Sequence, residues 1–201
     1  MSYTRLWVTF QPKLLHPAFA GLLSRAKILP IVALLLAIFY PTIPINAATN
    51  GNKADFTAMP ASPMTAEVSD DQGLMTALDQ FKGVPILVNF WATWCAPCVA
   101  ELPALERAAI ALAGDNMKVV VISIDRGGLV KAGPFLDKYA VSTPTRLFDP
   151  KARLSREMGV RGLPTSFIIS ADQKTSWMFV GPFEWDDQEF LDQITGLPLG
   201  N

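Results

Sequence analysis

Histidine is almost absent: the 201 residues hold one, His16, close to the N-terminus. A Ser-His-Asp triad in the body of the chain is thereby excluded. Cysteine is nearly as scarce, with only Cys95 and Cys98. A structural zinc site needs four ligands, and no second Cys pair or neighbouring His is available to close one. A c-type haem site needs His directly after the second Cys, where this chain has Val99. No glycine-rich phosphate loop occurs, since Gly127-Gly128 stands alone. Acid is missing from residues 1–54, which carry five of the 17 Lys and Arg. The remainder has 12 Lys and Arg against 18 Asp and Glu, a net charge of −6. It shows no basic patch interleaved with aromatics, which argues against a nucleic-acid partner.

The long apolar run lies at residues 28–45, broken only by Thr42 and including Pro30, Pro41 and Pro44. Basic residues precede it and Asn46-Ala47-Ala48-Thr49 follows. A basic region, an apolar region and then small residues make the layout of an export signal. About 18 apolar residues can also just span a bilayer, so an uncleaved anchor fits equally well. With Lys and Arg on the N-terminal side, either form sends the rest of the chain out of the cytoplasm. Residues 1–48 are therefore expected to be a signal peptide or an N-terminal membrane anchor. Residues 49–64, rich in Asn, Ala, Pro and Thr, are expected to be a flexible tether.

Residues 65–201 read as one α/β domain, long enough for a single core. Leu74, Ala77, Leu78 and Phe81 are spaced as a helix over 73–81. Residues 86–91 and 118–124 are continuous β-rich apolar runs, expected as buried strands. Between them runs a helix that Gly114 should end, with Pro103 inside it. A helix is expected over 134–139, opening on its proline. A short strand over 146–148 and a helix over 152–158 follow. Two strands, 165–169 and 176–180, come next, then a last helix over 187–194 with Asp186 as its cap. That order indicates a central mixed β-sheet with helices on both faces.

The chemistry centres on residues 88–98, Val-Asn-Phe-Trp-Ala-Thr-Trp-Cys-Ala-Pro-Cys. The strand ends, the chain turns, and Cys95 falls where a helix starts. A thiol there faces free backbone N–H groups and the positive end of the helix dipole, and both favour thiolate. Cys95 is thus the expected nucleophile, and Cys98, one turn deeper, the resolving thiol. A purely structural disulfide across two residues would remove little chain entropy. The pattern points to a thiol–disulfide oxidoreductase whose only redox group is this cysteine pair, with no separate cofactor and no metal.

These residues resemble the thioredoxin superfamily, and within it the TlpA/ResA group of exported reductases. Residues 88–98 followed by Glu101-Leu102-Pro103 are similar to that group's active-site segment. Residues 159–169, Gly-Val-Arg-Gly-Leu-Pro-Thr-Ser-Phe-Ile-Ile, resemble its cis-proline loop and the strand after it. Residues 181–185, Gly-Pro-Phe-Glu-Trp, are similar to a TlpA segment before the last helix. The resemblance covers roughly residues 65–196 and implies a thioredoxin fold.

It also implies roles. Leu163-Pro164 would lie cis against the cysteine pair and leave the backbone of Leu163 to pair with a substrate peptide. Trp94 would cover the thiols, and Ala96-Pro97 would tune the reduction potential. Asn89 stands where thioredoxin itself has a buried Asp that helps deprotonate the resolving Cys, and an amide cannot take a proton. Glu101 is the expected substitute, a carboxylate of raised pKa able to accept the proton of Cys98. The other reading of Glu101 is a solvated carboxylate on an exposed helix face. Copper chaperones of the same fold need Cys-x-x-x-Cys and a distal His, both missing here.

The function implied is reduction of protein disulfides by a periplasmic monomer. The resemblance supplies a membrane electron donor of the CcdA/DsbD type. It also supplies clients: cytochrome c haem-site thiols, or copper-site thiols in cytochrome oxidase assembly. Two alternatives remain open from sequence. One is an oxidase or isomerase that introduces disulfides; the other is a non-catalytic binding or metal-carrier module.

Overall fold

A computed structural model describes residues 56–200. The signal or anchor expected over 1–48, with its apolar run at 28–45, lies outside the described residues. Among those described, no helix is long and apolar enough to cross a membrane.

The order of elements is β1 (Met59–Pro60), β2 (Val68–Ser69), β3 (Met75–Thr76), β4 (Ile86–Trp91), α1 (Ala96–Leu112), β5 (Lys118–Ser123) and α2 (Gly128–Lys138). It continues with β6 (Thr145–Phe148), α3 (Arg153–Glu157), β7 (Thr165–Ile169), β8 (Thr175–Val180) and α4 (Gln188–Thr195). The strands form one sheet in the order β1-β8-β7-β4-β5-β6-β2-β3. β4 pairs parallel with β5 and antiparallel with β7, so the sheet is mixed. This is the α/β architecture the element order indicated.

β4 is buried at all six positions, which is why it reads as an apolar run without a polar face. Side chains alternate between the faces of a strand. Leu87 and Trp91 join the core under α1, α2 and α4. Ile86, Val88 and Phe90 join the opposite core with Leu154 and Met158. Asn89, between Leu87 and Trp91 in this alternation, therefore lies on the α1 side. α1 answers with Cys98, Glu101, Leu102, Leu105, Ala108, Ala109 and Leu112, a buried stripe at helical spacing. Each of its three leucines contributes about 2 kcal/mol by leaving water.

Four expectations are corrected. Residues 56–64 do not behave as a tether: Met59 and Pro60 pair with Ser176 and Thr175 of β8, and Met64 is buried. Phe56 packs on Phe179 and Phe190, with ring centroids 5.4 and 5.7 Å away. Apolar side chains supplied that docking where composition suggested none. Residues 73–81 are not one helix. The Asp70 carboxylate accepts the N–H groups of Gln72 and Leu74 at 2.9 Å, closing a turn that leads into the β2–β3 hairpin. Only Leu78–Phe81 then forms a short 3-10 turn, and Leu74 stays exposed. α2 begins at Gly128, so Pro134 sits inside the helix instead of opening it. The stripe Leu129, Ala132 and Leu136 drives that earlier start, with Ala132 and Leu136 fully buried. Finally, Asp187 caps α4 through the N–H of Phe190 at 3.0 Å. Asp186 instead pairs with Arg107 at 2.6 Å.

Candidate active site

The chain leaves β4 at Trp91, and the N–H of Cys95 donates to the carbonyl of Ala92 at 3.1 Å. Cys95 is the N-cap of α1, in extended conformation, and its Sγ accepts the N–H of Cys98 at 3.4 Å. Pro97 lies in the first helical turn, where a missing N–H leaves nothing unpaired. Cys95 and Cys98 form a disulfide with Cα atoms 5.3 Å apart. The pair is asymmetric: Cys95 keeps 6% exposure and Cys98 has none.

Glu101 follows Cys98 by close to one turn on the same buried stripe, at 4% exposure. The picture of a solvated carboxylate on an open helix face does not apply to it. Its Oε1 accepts Nδ2 of Asn89 at 2.7 Å. Its Oε2 accepts the indole N–H of Trp185 at 3.0 Å and the main-chain N–H of Phe183 at 3.2 Å. Burial pushes the carboxyl up from 4.5 to about 6, against the pull of these three hydrogen bonds. Asn89 Nδ2 also donates to Ser166 Oγ at 2.9 Å, while its Oδ1 is buried without a partner. One network thus joins β4, α1, β7 and the segment before α4.

Asp125 was not singled out by its sequence context, where it merely ends an apolar run. It is buried, and Oδ2 accepts the N–H of Thr93 at 2.8 Å while Oδ1 accepts the Thr93 hydroxyl at 2.7 Å. Ser123 Oγ donates to the same carboxylate at 2.9 Å. The turn two residues before Cys95 is thus tied to the end of β5. Trp185 and Ser166 were also missed as site residues, because their partners lie 84 and 77 positions away.

The Leu163-Pro164 bond is cis. Pro164 is buried, and its carbonyl accepts the N–H of Gly181 at 2.9 Å. Leu163 is half-buried and packs against the core that contains both cysteines. Among the described residues, nothing hydrogen-bonds its main chain. Trp94, Ala96 and Pro97 are exposed, Trp94 at 68%. Among the described residues, no group of three or more His, Cys, Asp and Glu is placed to hold a metal.

A family profile described as Redoxin matches residues 51–194. The chain belongs to the Redoxin family. It is similar to the thiol-disulfide oxidoreductase ResA of Bacillus thuringiensis subsp. konkukian, 29% identical over 129 residues, which cover 64% of this chain and 73% of that one. A thioredoxin of Mycolicibacterium smegmatis is 41% identical over 101 residues, covering 49% of this chain and 84% of that one. Among solved structures it is similar to a thiol:disulfide interchange protein of the thioredoxin family from Chlorobium tepidum, with TM-score 0.55 and 26% identity. That match covers 70% of this chain and 99% of the other. This Redoxin protein is accordingly a ResA/TlpA-like member of the thioredoxin superfamily and a thiol–disulfide oxidoreductase.

Proposed function

We propose that this oxidoreductase works as a periplasmic reductant of protein disulfides. The observation that carries the reading is the asymmetry of the pair, with Cys95 capping α1 and Cys98 closed off above a buried carboxylate. The reduced form starts the cycle. The Cys95 thiolate, favoured by the N-terminal end of α1, attacks one sulfur of a substrate disulfide. A mixed disulfide forms and the substrate's other sulfur leaves as a thiolate. The Cys98 thiol then loses its proton to Glu101 and attacks Cys95, which expels the second substrate thiolate. Two electrons have passed to the substrate, and the chain is left as the Cys95–Cys98 disulfide. A carboxyl near 6 is poised for that proton exchange at neutral pH.

The free main chain of Leu163, held by the buried Pro164, gives an extended substrate peptide a place to pair beside the disulfide. Trp94 offers an exposed aromatic face for the same peptide. Ala96 and Pro97 tune the couple from between the thiols.

Residues 1–48 direct export, as a cleaved signal or as an anchor through residues 28–45. Outside the cytoplasm disulfides persist, so a reductant needs electrons from elsewhere. A membrane donor of the CcdA/DsbD type supplies them to a monomeric domain. The clients are haem-site thiols of apocytochrome c, or copper-site thiols of cytochrome oxidase. The test offers the reduced full chain two disulfide peptides, one with Cys-x-x-Cys-His and one with Cys-x-x-x-Cys. Reduction of at least one, faster than by dithiothreitol at equal thiol concentration, supports the reading. Failure on both overturns it.

A further inference from the structure

Trp185 is fully buried, yet its indole carries an N–H that needs an acceptor. It sits in a cluster with Phe179, Phe183 and Phe190, at centroid separations of 6.2, 5.4 and 5.5 Å. For packing alone a phenylalanine would serve. The N–H instead meets Glu101 Oε2 at 3.0 Å, and the Phe183 N–H reaches the same oxygen at 3.2 Å. The segment before α4 therefore turns two donors onto a carboxylate one helical turn beyond the resolving cysteine.

Asn89, the remaining hydrogen-bond partner of Glu101, is also neutral. β4 supplies the Asn89 amide, with the Ser166 hydroxyl of β7 behind it. No charged side chain contributes to its titration, which is shaped by burial and three hydrogen bonds. On its own helix the titratable group at helical spacing is the Cys98 thiol, three residues before it, when the pair is reduced. A donor aimed at a buried carboxylate favours the ionised form, and charge-assisted bonds are the stronger class.

We infer that Trp185 is a positioning residue for thiol–disulfide exchange, its indole N–H fixing the Glu101 carboxylate and setting the pH at which that group takes up a proton. This rests on the reading of Glu101 as the acceptor for Cys98, but its first test does not. The indole ¹⁵N–H resonance of Trp185 is followed with pH in the oxidised full chain, where the thiols cannot titrate. It should shift with a midpoint near 6 and lose that transition in Glu101→Gln. A resonance flat across this range overturns the inference, even if exchange itself proves to depend on Glu101.

Trp185→Phe then keeps the aromatic packing and deletes the donor. The Glu101 carboxyl, read by ¹³C shift, should titrate about one pH unit higher. The pH profile of disulfide reduction should move the same way, and Trp185→Phe should have no such effect in the Glu101→Gln background. A variant that loses stability while both midpoints stay in place shows Trp185 to be packing only, and the inference fails. If the carboxyl midpoint moves and the rate profile does not, Trp185 sets the acidity of Glu101 but neither positions the exchange. That outcome overturns the catalytic part of the inference and the acceptor reading together.

Discussion

Nδ2 of Asn89 lies 2.7 Å from Oε1 of Glu101, so an amide on the central strand holds a buried carboxylate three residues after the buried Cys98. Asn89 cannot take a proton, and Glu101 can. The only group in this pair that can exchange a proton therefore sits on α1 and not on β4.

That burial has a consequence for stability. The carboxyl sits near 6 in the folded chain against 4.5 when ordinarily solvated. Between those values the folded form binds the proton more tightly than the unfolded form. The contribution is therefore full below about 4.5 and is lost as pH rises through about 6, a change of about 2 kcal/mol. Denaturant unfolding of wild type at pH 4.5 and pH 7, compared with Glu101→Gln, isolates it from other groups. The wild type should lose about 2 kcal/mol more than the variant over that interval. Parallel curves would show that Glu101 is solvated in both states.

The two cysteines should fail differently. Cys95→Ser removes the attacking sulfur and should abolish disulfide reduction. Cys98→Ser keeps the first attack and lacks the release, so it should accumulate mixed disulfides with substrate. Non-reducing electrophoresis after incubation with an oxidised peptide separates the cases. Adducts on the Cys95 variant instead would reverse the two roles.

Asp125 should matter more than its place at the end of β5 suggests. Asp125→Ala strands two buried or half-buried donors of Thr93 and the hydroxyl of Ser123. Leaving such groups unpaired costs about 2–4 kcal/mol, and the turn before Cys95 loses its tie to β5. The melting temperature should fall by several degrees and disulfide reduction should slow. A variant that melts with wild type would show the Thr93 turn to be held by its own backbone.

How much of this was visible in the chain follows from the range of each interaction. β4 and β7 occur at the residues expected, because each is a short β-rich segment, apolar but for Asn89 in β4 and for Thr165 and Ser166 opening β7. The position of Cys95 at the start of α1 follows from a strand, a short turn and Pro97 in sequence. β1, β2 and β3 are two residues each, too short to show a period of two. The clasp of Asp125 on Thr93 and the indole of Trp185 on Glu101 join residues 32 and 84 apart. Only the folded sheet brings those together, so Glu101 and Asn89 could be singled out while Trp185 and the Phe183 N–H could not.

The reductant reading turns on one number, the reduction potential of the Cys95–Cys98 couple. The full chain is equilibrated against dithiothreitol and glutathione redox buffers, and the free thiols are trapped by alkylation. A potential of about −250 mV or lower is the value of a donor to protein disulfides and is the result predicted. A value near −120 mV would mark an oxidant and contradict the account.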